Sequence, residues 1–169
     1  MYSLPLNFKK WIDENRDFLK PPVCNKVVWE DAEFIVMVVG GPNSRKDYHV
    51  DKGEEFFYQI KGDMILKIIQ EDRVEEIRIS EGEIFLLPKN IPHSPQRFKN
   101  TVGLVIERKR NLGELDGFQW YCDSCNNLLY ETFFQLEDIV VQLPPIFESF
   151  WSNINYRTCN RCGHVMNKE

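Results

Sequence analysis

The sequence has no long hydrophobic run. Its longest apolar candidate, Phe34–Val39, has the length of a strand and is far short of a bilayer-spanning helix. The N-terminal stretch MYSLPLNFKKWIDENRD lacks the apolar core and small-residue cleavage site of a secretory signal, so a soluble, cytoplasmic protein is expected. Positive charge is also in deficit. The net charge of −5 and isoelectric point near 5.3 argue against nucleic acid or an anionic membrane as partner. Repeats and low-complexity segments are missing. Histidine is scarce, with only His49, His93 and His164. The five cysteines do not form a disulfide pattern. Four stand in two CxxC pairs and Cys24 stands alone, which in a reducing compartment reads as a metal site plus one free thiol. No histidine lies near Cys24 in sequence, so it reads as a buried filler rather than a nucleophile.

What is present suits a globular core. A chain of 169 residues, 43% of them hydrophobic, can bury one domain or one domain with a small appendage. Asn7 can cap a helix carrying Phe8, Trp11, Ile12, Phe18 and Leu19 at helical spacing, ended by Pro21 and Pro22. Short β runs follow at Val27–Trp29, Phe34–Val39, Glu55–Lys61, Met64–Gln70, Val74–Ile79, Ile84–Leu87 and a final Val102–Arg108. Turn signals at Gly40–Asn43, Gly62-Asp63, Glu71-Asp72 and Glu81-Gly82 separate them. Such strands without intervening helices predict a mainly β protein, an antiparallel barrel or jelly roll. The composition shifts after Asn111-Leu112-Gly113. The expected division is a barrel with its N-terminal helix over residues 1–113 and a C-terminal extension over 114–169, packed on the barrel, with a bend at Leu143-Pro144-Pro145-Ile146.

Two of the three histidines stand in strand-rich blocks, His49 with Glu55 in Tyr48–Gly62 and His93 in Glu81–His93. Two imidazoles and one carboxylate can hold ferrous iron on one face and leave other positions open to substrate and dioxygen. The blocks resemble the two motifs of the cupin superfamily. His49-Val50-Asp51, Glu55 and Gly62 match the first, and Gly82, Pro88, Asn90 and His93 match the second. The fold this implies is the double-stranded β-helix, or jelly-roll barrel. Where most cupins have a second histidine this chain has Asp51, readable as a ligand or as a loop residue. Arg97, four residues past His93, supplies a planar cation suited to a carboxylate. Arg45, expected on the opposite rim, reads either as a solvated loop arginine or as a second clamp. Glu107 either pairs at the surface with Arg108 or Lys109, or points inward, where it could accept a substrate proton.

In the tail, Cys122, Cys125, Cys159 and Cys162 form two knuckles, a closed four-thiolate site for zinc or iron. A structural role is expected, stabilising a segment too small for its own core, with His164 exposed beside it.

Arg45, His49, Glu55, His93, Arg97, Glu107, the segments Asp116–Cys122 and Leu143–Glu148, and both CxxC pairs together resemble the 3-hydroxyanthranilate 3,4-dioxygenase family. The resemblance is to its single-cupin form with a rubredoxin-like C-terminal metal site, and it covers nearly the whole length. It implies Fe(II) on His49, Glu55 and His93, chelated by the hydroxyl and amino groups of 3-hydroxyanthranilate. It also implies a carboxylate clamp of Arg45 and Arg97, and proton transfer at Glu107. Ring opening by O2 would give 2-amino-3-carboxymuconate semialdehyde, which closes to quinolinate on the route to NAD. A homodimer is implied as well. Thiol dioxygenases resemble three-histidine sites, which Glu55 argues against. The non-enzymatic alternative is a cupin sensor or binding protein with a zinc-ribbon interaction tail.

Overall fold

The computed structural model describes residues 4–21, 23–137 and 139–168. Helix α1 spans Phe8–Glu14, and the Asn7 side chain accepts the Lys10 N–H at 3.0 Å. It is shorter than the spacing of apolar residues predicts. Asn15 ends it by turning both its backbone N–H and its Nδ2 back onto the last carbonyls, so Phe18 and Leu19 lie beyond in turns. Pro22, expected to help end this helix, lies outside the described residues.

Among the described residues eleven strands follow in chain order: β1 Asn25–Val27, β2 Phe34–Gly40, β3 Asp47–Val50, β4 Glu55–Lys61, β5 Met64–Gln70, β6 Arg73–Ile79, β7 Ile84–Leu87, β8 His93–Arg97, β9 Val102–Arg108, β10 Asp116–Tyr121 and β11 Leu128–Phe134. They form a five-stranded sheet, β1-β2-β9-β4-β7, and a six-stranded sheet, β11-β10-β3-β8-β5-β6, with antiparallel neighbours throughout. Glu71 and Asp72, both at positive φ, close the β5–β6 hairpin in the way a right-twisted pair requires. The turns at Gly62 and Gly82 instead carry the chain from one sheet to the other. This is the mainly β cupin barrel that the two motifs predict.

The barrel core follows from alternation. Phe57, Met64, Leu66, Ile68, Ile79, Leu87 and Val105 are buried together, with Met37, Val39 and Phe85 packed against them. Along β4 the same period of two turns Glu55, Phe57 and Gln59 inward, and along β9 it buries Gly103, Val105 and Glu107.

Several expectations need correction. The first strand begins at Asn25, because Asn25–Val27 pairs with Val39–Met37 of β2; Trp29 lies past its end, 45% exposed. β9 is not the last strand, since β10 and β11 follow. β10 pairs with β3, so the segment after residue 113 enters the barrel's own six-stranded sheet. The Leu143–Ile146 stretch is no bend. Helix α2, Ile139–Ser152, runs through Pro144 and Pro145 and leads to the short α3, Ile154–Arg157. Prolines in a helix interior cost roughly 3 kcal/mol or more. Here Leu143, Ile146, Phe147 and Phe150 bury one helical face against Phe118 and Trp120, which offsets that cost. This cluster also corrects the expectation that the tail has no core. Trp120 and Phe150 stack at 4.5 Å, and Met166 is buried with them. Among the described residues no helix is long and apolar enough to cross a membrane.

Candidate metal centre and binding pocket

His49 of β3 and His93 of β8 are cross-strand partners, which brings their rings to 5.2 Å. Glu55 enters between them from the opposite sheet. Its Oε1 lies 3.3 Å from His49 Nδ1 and 3.2 Å from His93 Nε2. These three offer one ligand atom each within 4.8 Å of one another, the donor set that suits a divalent cation. Asp51 is not part of that group. It lies with Glu55 and Glu107 in an adjacent carboxylate cluster, 2.9 Å from Arg110 Nη2.

A cavity of about 150 Å³ opens beside the three residues, lined by Arg45, Arg97, Glu107 and Arg110 among others. Its apolar walls include Met37, Phe57, Val105 and Phe118 from the strands, and Leu136 and Leu143 from the C-terminal segment. Arg97 is 5% exposed, and among the described residues the one hydrogen bond of its guanidinium goes to Gln59 Oε1, at 3.2 Å from Nη1. Burial pulls its pKa down to about 10, partly opposed by Glu55, so it stays charged at neutral pH. Gly103 makes room for this guanidinium, because a Cβ there would meet Arg97 Nη1 at 2.5 Å and Gln59 Oε1 at 2.7 Å.

Arg45 is not on the opposite rim. Asn43 bridges to Arg97, and Gln96 holds the Arg45 backbone, accepting its N–H at 3.2 Å and donating to its carbonyl at 2.9 Å. The two arginines therefore come from neighbouring segments. The Arg45 guanidinium pairs with Asp47, its Nε at 3.0 Å. Glu107 points inward as the Glu55 partner in the β4–β9 register. It pairs with Arg110 at 2.9 Å rather than with Arg108 or Lys109; Arg108 instead holds Glu114.

Arg110 and Asp116 are the residues that sequence reasoning missed. Arg110 stands next to Arg108 and Lys109 in the sequence, yet its side chain is only 8% exposed and is ion-paired to Asp51, Glu107 and Asp116. Five carboxylates (Asp47, Asp51, Glu55, Glu107, Asp116) thus face three guanidinium groups (Arg45, Arg97, Arg110) around the pocket. The excess negative charge collects protons. Burial disfavours the His49 imidazolium, but bonds to Asp116 and Glu55 outweigh it and lift the ring to about 9. Burial and the nearby Glu55 raise Glu107 to about 7 against the pull of Arg110. A divalent cation would supply the missing charge, so the donor set and its surroundings fit a metal.

The four cysteines also converge. Cys122 and Cys162 lie 3.6 Å apart, as do Cys125 and Cys159, and no ligand-atom separation in the set exceeds 4.8 Å. Asn126 and Gly163, each one residue past its CxxC, both take positive φ and donate back to Cys122 and Cys159. Burial pushes Cys122 up to about 12. Cys159 falls to about 6, since backbone N–H groups of Arg161 and Cys162 outweigh burial. His164 is less exposed than expected. It pairs with Asp123 at 2.6 Å, joining the two knuckles.

The two-sheet barrel, with two histidines and a glutamate converging at its mouth, defines a cupin of the metal-binding kind. Residues 1–151 match the 3-hydroxyanthranilic acid dioxygenase family. The 3-hydroxyanthranilate 3,4-dioxygenase of Bacillus cereus is 53% identical over 164 residues, 96% of this chain and 92% of that one. The enzyme of the same name from Xanthomonas euvesicatoria pv. vesicatoria is 52% identical over 161 residues, 95% of this chain and 91% of that one. Among solved structures, a cupin-2 domain containing protein from Shewanella frigidimarina aligns with TM-score 0.49 and 16% identity, over 61% of this chain and 93% of that one. The chain belongs to the 3-hydroxyanthranilic acid dioxygenase family.

Proposed function

We propose that this protein opens the ring of 3-hydroxyanthranilate with dioxygen, yielding 2-amino-3-carboxymuconate semialdehyde with both oxygen atoms incorporated. In this reading His49, Glu55 and His93 hold ferrous iron. The four cysteines hold zinc or iron in a structural role, and the protein works as a cytoplasmic homodimer. Residues 114–169 act as an extension of the barrel formed by 1–113, joined to its six-stranded sheet through β10. The observation that carries the proposal is one small cavity joining the metal-ligand set to two arginines and an inward glutamate. Family membership points to the same chemistry.

Each protein group then has a task. Arg97, desolvated and with a single neutral partner, binds the substrate carboxylate, and Arg45 assists from the adjoining segment. Their charge orients the ring so that its neighbouring hydroxyl and amino groups face His49, Glu55 and His93. Glu107 accepts the hydroxyl proton as the ring becomes electron-rich, and Arg110 keeps its carboxylate turned into the cavity. Phe57, Val105, Leu136 and Leu143 exclude water around the ring. Ferrous iron, when bound, supplies the reaction of dioxygen with the aromatic ring.

The test uses protein loaded anaerobically with ferrous iron, mixed with 3-hydroxyanthranilate and exposed to air. Oxygen uptake should match formation of the yellow semialdehyde and its decay to quinolinate, and both should vanish in His49→Ala. Iron bound at the barrel without turnover would refute the substrate assignment.

A further inference from the structure

The geometry points to Asp116 as a positioning residue that sets the ring of His49 and thereby the strength of metal binding at the barrel mouth. This inference rests on the assignment of His49, Glu55 and His93 as the metal set.

Asp116 lies 67 residues from His49 in sequence, at the start of β10. The β3–β10 pairing brings them together, with Phe118 opposite His49. The Asp116 Oδ1 is 2.7 Å from His49 Nε2, so this ring nitrogen donates and the other, Nδ1, is left to face Glu55. Phe118, two residues on and on the same side of the strand, stacks on the ring at 5.1 Å and 28°. One strand therefore holds the imidazole by its edge and by its face. His93 has a simpler arrangement, with Nδ1 3.0 Å from the Ile91 carbonyl.

Asp116 is itself held still. Arg110 Nε reaches its two oxygens at 3.0 and 2.9 Å, and Nη2 reaches Oδ1 at 2.6 Å. The carboxylate is 1% exposed. Burying it is costly, and Arg110 does not require it, since Glu107 and Asp51 already neutralise that guanidinium. The distinct contribution of Asp116 is its bond to His49. A carboxylate on the far nitrogen of a metal-binding imidazole fixes the tautomer and makes the ring a better donor, typically worth about 10- to 100-fold in metal affinity.

Cobalt(II) binding to the barrel tests this, measured by competition with a chromophoric chelator on full-length protein carrying zinc at the four cysteines. Wild type, Asp116→Asn, Asp116→Ala and His49→Ala are compared. Asp116→Ala should weaken cobalt binding roughly 10- to 100-fold. Asp116→Asn keeps an acceptor oxygen but loses the charge, and should weaken it about tenfold. Zinc content should be unchanged. If His49→Ala loses cobalt while both Asp116 variants stay within about threefold of wild type, the inference fails and the metal assignment stands. A lower melting temperature of the metal-free Asp116 variants with unaltered cobalt affinity would mark a purely structural role and overturn it too. If His49→Ala keeps barrel cobalt, the metal assignment falls and Asp116 falls with it. Should Asp116→Ala not fold, Asp116→Asn decides alone.

Discussion

Arg97→Met should make the protein more stable and worse at binding its substrate. The buried guanidinium has one neutral hydrogen-bond partner, and its pKa falls to about 10 because burial penalises the charge. The side chain is protonated at neutral pH in both the folded and unfolded chain, so the whole penalty counts against folding. At about 1.4 kcal/mol per pKa unit, that penalty is on the order of 3 kcal/mol. Methionine has a similar length and no charge. It leaves Gln59 Oε1 without its donor, which costs about 1 kcal/mol. The net gain is about 2 kcal/mol, or roughly 4–8 °C in the melting temperature of a chain this size. Substrate binding moves the other way. A desolvated arginine facing a carboxylate costs about 2–5 kcal/mol when lost, so the dissociation constant for 3-hydroxyanthranilate should rise at least about 30-fold. Thermal melting of the metal-free protein reads the first effect, and anaerobic titration of the iron-loaded protein reads the second. A variant that melts lower and binds substrate as tightly as wild type would refute both halves of the reasoning.

Gly103→Ala should act on the same guanidinium from behind. Its Cβ would force Arg97 and Gln59 to move, so substrate affinity should fall while cobalt binding at the barrel is retained, as calorimetric titration of each would read. Trp120→Ala removes the centre of the second aromatic cluster and should cost about 3–5 kcal/mol in chemical denaturation. Cys159→Ser opens the four-thiolate site. In protein loaded with zinc at that site, zinc content should drop by one equivalent and the melting temperature should fall, with barrel metal measured separately by cobalt titration.

The parts of the site that were legible in the sequence lie within short stretches governed by local rules. His49 and Glu55 flank one tight turn. His93, Pro95 and Arg97 share one strand face, and the two CxxC pairs each close on their own knuckle. Four strands were not expected: β10 and β11, past the expected last strand, and the polar pair β3 and β8. β3 and β8 carry Asp47, His49, His93 and Arg97 instead of alternating aliphatics, because their inner faces line the pocket rather than the core. α1 ended early through an asparagine side chain that helical spacing does not register.

By itself the sequence determined the barrel class, the two histidines and glutamate, the arginine beyond the second histidine and the four-cysteine centre. Each follows from side-chain chemistry at spacings that strands and turns enforce locally. Tertiary structure decided the rest. Arg110 and Asp116 are indistinguishable from solvated surface charges until β10 pairs with β3 and seals them in. Glu107 faces inward because of its register with Glu55, and α2 keeps two prolines because its apolar face finds Trp120. Burial is a property of what packs against a residue, and the partners that decide it here (His49 for Asp116, Asp51 for Arg110, Glu55 for Glu107, Trp120 for α2) lie beyond any local window of sequence.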